Sequence, residues 1–176
     1  MFLPFGRRSR LLLVAVLAAA VLPQAATADE PAAPPRPELL AVNSRGTAAN
    51  ESTDPNRKVF TFELYSLADG SRIGTAVDDV ACSSTKPPPC AVVDAKTTFH
   101  LPDGDIVNHA DVSVAPDPQE PGWVIVSASG EKSIVGGTGN YHGRTGSVRV
   151  HGTNDLRRFP DQMTQDDFWL IQLDPH

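Results

Sequence analysis

The sequence predicts an all-β domain, a sandwich or a barrel, and three observations carry that expectation. Apolar and polar residues alternate in short runs separated by turn residues. No long stretch repeats apolar residues at helical spacing, and Pro, Gly and β-branched residues are spread throughout. Third, the run Ile134-Val-Gly-Gly-Thr-Gly-Asn-Tyr-His-Gly-Arg-Thr-Gly-Ser-Val148 leads its glycines into a period-two segment, the pattern of a tight turn, a bulge or a barrel corner.

In chain order, residues 1–28 read as an export signal. Arg7, Arg8 and Arg10 form its charged start, Leu11 to Leu22 its apolar stretch and Ala26-Thr27-Ala28 its cleavage site. Arg7-Arg8 followed by Leu11 also permits twin-arginine export. The apolar stretch is short for a membrane span and no other segment could be one, so the expected product is secreted and membrane-free. Its removal takes three arginines and no acid, leaving a chain more acidic than the formal −6 of the whole. Such a surface repels nucleic acid and anionic membranes, and neither is an expected partner. Residues 29–37 form a Pro-rich leader without core-forming side chains, and 38–176 suit one domain.

Strands are expected near Glu38–Asn43, Lys58–Tyr65, Arg72–Ala81, Ala91–Leu101, Asp105–Ala115, Trp123–Ser129, Arg144–Gly152 and Asp167–Leu173. Placing Asp69-Gly70 at a hairpin tip sets Phe60 opposite Asp79, Phe62 opposite Val77 and Leu64 opposite Thr75. Asp79 then ends an apolar row, where a carboxylate needs a partner or a task. Asp103-Gly104 forms a second tip, pairing Leu101 with Ile106, Phe99 with Asn108 and Lys96 with Asp111. Asn108 is the one amide in its apolar row, while His100 and His109 share the polar face with Lys96 and Asp111.

Cys82 and Cys90, the two cysteines, are expected to form a disulfide after export. The five histidines show no metal-ligand spacing, so no metal is expected. Gly-Gly-Thr-Gly before a strand lacks the helix N-terminus of a phosphate cradle, so no nucleotide or other cofactor is expected either. Ser127, Ser129 and Ser133 lack the context of a hydrolase nucleophile.

Four segments together carry a resemblance. Ile134 to Gly146, Glu63-Leu-Tyr65 with Asp69-Gly70 and Ile73-Gly-Thr75, Thr98-Phe-His-Leu-Pro-Asp-Gly104 and Phe168-Trp-Leu-Ile-Gln-Leu173 resemble, in order, motifs of the allene oxide cyclase and dirigent barrel superfamily. The resemblance implies an eight-stranded antiparallel β-barrel, often a homotrimer, whose interior holds an apolar small molecule and guides its cyclisation or coupling. It also implies isomerase-type or dirigent-like chemistry by conformational control and exclusion of water. Asp78-Asp79 resembles the acidic pair of dirigent proteins. Where Asn43 matches the first-strand amide of the plant cyclases, Ala41 replaces their nearby acid.

The leading expectation is therefore a secreted barrel for a hydrophobic small molecule. Asp79, with Asp78, would be its catalytic carboxylate, and Asn108, Tyr141, Phe62 and Phe99 would contact the ligand. The alternative is a non-catalytic scaffold, carrier or partner-binding protein on the same barrel. A dry, filled interior favours the alternative, and an open pocket with a buried carboxylate favours ligand chemistry.

Overall fold

The computed structural model describes residues 37–82 and 90–175. The expected export signal, the leader except Pro37, and the loop 83–89 lie outside the described residues. Nine strands follow one another: β1 (Glu38–Ala49), β2 (Arg57–Ser66), β3 (Arg72–Cys82), β4 (Val92–Leu101), β5 (Gly104–Pro116), β6 (Trp123–Gly130), β7 (Ile134–Gly137), β8 (Gly146–Asp155) and β9 (Gln162–Leu173). Hydrogen bonding runs β4-β3-β2-β1-β9-β8-β6-β5-β7, and β4 pairs with β5. Eight strands thus close an antiparallel barrel, which removes the exposed sheet edges a sandwich would keep.

The ninth strand comes from a break between two partners of β5. That strand pairs with β6 through Ser113–Pro116 and with β7 through Ile106–Asn108. At the break Lys132 takes a left-handed backbone (φ 56°), and the buried Ser133 hydroxyl accepts a hydrogen bond from Val148 N at 2.9 Å.

The glycine run works as a clasp. Thr138 N donates to Asp105 O at 3.0 Å, Asn140 N to Asp103 O at 2.9 Å, and Thr138 Oγ1 accepts from Asp105 N at 2.9 Å. These bonds fasten the run across the β4–β5 turn. Gly139, at φ +55°, lies so close that a Cβ would collide with Asp103 O. The run ends in a single 3-10 turn, Gly139–Tyr141, and β8 follows.

Both hairpin registers differ from the expected ones, with different consequences. At the first, the loop is wider than two residues: Ser66 N donates to Ser71 O, Gly70 N donates to Ser66 O, and the register shifts between Leu64 and Tyr65. Phe60 therefore faces Asp78 and Phe62 faces Ala76. A one-residue slip exchanges the faces of β3, so Asp78 points inward and Asp79 outward. At the second, Leu101 pairs with Gly104, Phe99 with Ile106 and Thr97 with Asn108. That displacement is even, so the faces stand, but Lys96 meets His109, and Asp94 is the partner of Asp111.

One end of the barrel is solid. Leu64, Phe99, Ile106, Val148, Trp169, Ile171 and Leu173 pack there with Tyr141, and Phe99 meets Trp169 edge-on at 5.2 Å. Toward the other end Phe60, Phe62 and Met163 form one cluster and Ala95, Val112, Val124 and Val126 another, with Val80 and Leu156 touching both. Small side chains in the second cluster leave the interior unfilled there. The disulfide Cys82–Cys90, with Cα atoms 5.8 Å apart, stands at this end.

Candidate functional site

A cavity of about 480 Å³ opens in that half of the barrel. Its walls are apolar: Val80, Val93, Ala95, Val112, Val124 and Val126 on β3 to β6, with Leu156, Phe159 and Met163 around the end of β8 and the start of β9. Both disulfide cysteines contribute, and the lining extends to the exposed Pro116 and Gly122. Polar side chains gather deeper, where Asp78, Thr97, Asn154, Gln165 and Asp167 meet Trp169. An apolar chamber with few convergent polar groups is the usual form of a small-molecule site.

Period-two alternation places each polar group. On β3 it carries Ala76, Asp78 and Val80 inward, on β4 Ala95, Thr97 and Phe99, and on β9 Met163, Gln165, Asp167, Trp169, Ile171 and Leu173. Asp78 thus interrupts an apolar row, and Asp167 follows Gln165 on the other.

Asp78 is 5 % exposed, and its Oδ1 has no hydrogen-bond partner among the described residues. Burial raises its pKa to about 6, and the neighbouring Thr97 and Gln165 side chains pull it part of the way back. Thr97 Oγ1 likewise lacks a partner. Asp167 is 3 % exposed; burial first, then the charges of Asp78 and Asp166, push its pKa well up. With its amide nitrogen turned toward Asp167, Asn154 donates to Asp167 Oδ1 at 3.2 Å and to Thr153 O at 2.8 Å.

A second layer holds this floor still. The fully buried Ser44 hydroxyl accepts from Gln165 Nε2 at 2.6 Å and from Trp169 Nε1 at 2.7 Å, tying β1 to two inward side chains of β9. Asn43 donates to Asp166 Oδ1 at 2.8 Å and to Asp167 O at 3.1 Å. The second bond fixes the backbone of Asp167, and the first holds the side chain next to it.

Of the residues named from sequence, Asp78 alone of the expected catalytic and ligand-contacting set lines the cavity. Asp79 lies on the outer face, where its Oδ1 accepts from Arg57 Nε at 2.7 Å. Phe62, Phe99 and Tyr141 are core side chains outside the lining. Asn108 is inward and buried with an unpartnered Oδ1, yet it too stands outside the lining. His100 bonds Asp105 at 2.8 Å and His109 bonds Asp94 at 2.5 Å, both exposed.

Asp167, Asn154 and Gln165 are functional candidates that the sequence reading missed. A signal existed: counting back by twos from Leu173 through Ile171 and Trp169 reaches Asp167 and Gln165. No group of three or more His, Cys, Asp or Glu side chains suited to a metal ion occurs among the described residues.

No protein-family model matches the chain, and no curated protein matches it. Solved structures do. A pyocyanin demethylase is 19 % identical, covering 77 % of this chain and 98 % of its own at a TM-score of 0.42. The pterocarpan synthase dirigent protein GePTS1 is 11 % identical, with 85 % and 98 % covered and a TM-score of 0.42. AbnU, an exo-specific intermolecular Diels-Alderase, is 19 % identical, with 76 % and 98 % covered and a TM-score of 0.35.

Proposed function

We propose that the barrel is a secreted binder of a hydrophobic small molecule, which it holds in one conformation away from water and whose cyclisation or coupling it guides by proton transfer. The observation that carries this reading is the apolar cavity with Asp78 buried at its floor, one carboxylate oxygen unpartnered. A carboxyl with a pKa raised to about 6 is poised to accept or return a proton near neutral pH. Asp167, whose pKa burial and the Asp78 charge also push well up, stands in the same lining as the second carboxyl of a proton-sharing pair. The apolar walls fix the shape of the guest, and exclusion of water strengthens both roles.

The motifs resembling allene oxide cyclase and dirigent barrels support the reaction class, and the expected export signal and the disulfide support the extracellular setting. A scaffold reading draws on the solid half around Phe99 and Ile171, but it leaves the burial of two carboxyls without a purpose.

The test is native mass spectrometry of the protein recovered from the medium of a secreting host, followed by identification of retained small molecules. Apolar molecules retained by the wild type and lost on narrowing the cavity with Ala95→Leu are the expected result. Equal retention by that variant would place the guest elsewhere and remove the proposal.

A further inference from the structure

Among the described residues the two buried carboxyls have no countercharge. Asp78 comes from β3 and Asp167 from β9, which are separated in the barrel by β2 and β1, and both side chains line the same cavity. Among the described residues no lysine, arginine or histidine does. Of the described cations, Arg57 is engaged by Asp79 at the outer face, Arg157 by Asp155, and Lys58, paired with Val80, donates to the Asp54 and Pro55 carbonyls. Burying carboxyls without a countercharge is costly, and ordinary packing gives nothing back for it.

We infer that the cavity selects an apolar molecule carrying one positive charge on nitrogen, seated with that charge between Asp78 and Asp167. This rests on the reading that the cavity takes an apolar guest, and it narrows that guest's class. A cation there meets the free Oδ1 of Asp78 in a low-dielectric pocket, where attraction is far stronger than in water. It also relieves the repulsion by which the Asp78 charge raises Asp167. Trp169, next after Asp167 on the inward row of β9, adds an aromatic ring to the lining. Among the described residues no third His, Cys, Asp or Glu joins the two carboxyls to make a metal-ligand group.

The groups facing Asp78 are few. Phe60 opposes it from β2 and Thr97 from β4, while Gln165 and Asp167 reach it from β9. Asp167 is the titratable one of these. Asp166 acts on Asp167 and is itself bonded to Asn43. On the neighbouring outer face stand Asp79, Arg57, Asp94 and Lys96, and β2 to β4 further carry Lys58, Glu63, Arg72 and His100.

The probe is a pair of equal shape, 1-methylquinolinium and its neutral isostere 1-methylnaphthalene, titrated into the purified protein by calorimetry. The cation should bind about tenfold or more tightly at pH 7.5, a difference of about 1.4 kcal/mol. Its advantage should fade as the pH falls through about 6, where Asp78 takes up a proton, and Asp78→Asn should remove it. Equal or tighter binding of the neutral probe, or a preference that survives in Asp78→Asn, overturns the inference while leaving an apolar site standing. If neither probe binds, the apolar-guest reading falls with it. Should Asp78→Asn fail to fold, the pH dependence of the wild type decides, with loss of the preference in Asp167→Asn as the second check.

Discussion

Gly152 on β8 lies directly opposite Asp167 on β9, and the space a Cβ would need is taken by the Asp167 carboxylate and the Asp166 carbonyl. The missing side chain is what lets a carboxyl fold back against its neighbouring strand. Gly152→Ala must therefore push backbone and carboxylate apart. Overpacking of this kind costs about 1–3 kcal/mol. Urea unfolding should show that loss, together with weakened guest binding because Asp167 has moved. An alanine variant as stable as the wild type would mean that β8 yields freely there.

Asp78 gives stability an unusual pH dependence. Its pKa is raised to about 6, so the folded protein holds that proton more tightly than the unfolded chain does. The contribution is complete below the ordinary value of 3.8 and is lost as the pH rises through about 6. Asp167, also raised, adds a loss of the same sign. Asp155 runs the other way, since Arg157 lowers its pKa to about 2. Comparison with Asp78→Asn isolates the one group. The variant should gain on the order of 2–3 kcal/mol over the wild type above pH 6, and the gain should vanish near pH 4. Parallel unfolding curves across that range would contradict the placement.

Asp79 should be dispensable for binding. Its ion pair with Arg57 lies on the outer face and is about a third exposed on each side, so Asp79→Ala should cost no more than about 1 kcal/mol. Guest affinity and turnover should be unchanged, in contrast to Asp78→Asn. Loss of binding in the Asp79 variant alone would restore the register in which Asp79 faces inward.

The disulfide should matter to both stability and the cavity. Cys82 ends β3, Cys90 precedes β4, and both line the chamber. Closing a loop of sequence separation 8 stabilises by roughly 2–3 kcal/mol on the chain-entropy account. Reduction, or the double Cys→Ser variant, should lower the unfolding midpoint accordingly and weaken guest retention. Unchanged retention after reduction would show that the cysteine end does not shape the guest's seat.

Alternation along single strands was legible from the chain alone. Phe60, Phe62 and Leu64 share a face, as do Ala95, Thr97 and Phe99, because side chains in a strand point to opposite sides in turn and water sorts them. The glycine run declared a backbone corner, since close approach and left-handed angles exclude most other residues. Local pattern could not say how one strand is phased against the next. The wide Ser66–Ser71 turn and the shift at Leu64/Tyr65 decided that, exchanging Asp79 for Asp78. Nor could local pattern bring β9 opposite β3, which required the ring to close through β4 and β5. Asp167 and the cavity belong to that closure: a short-range period assigns faces, and only long-range pairing determines which faces confront one another.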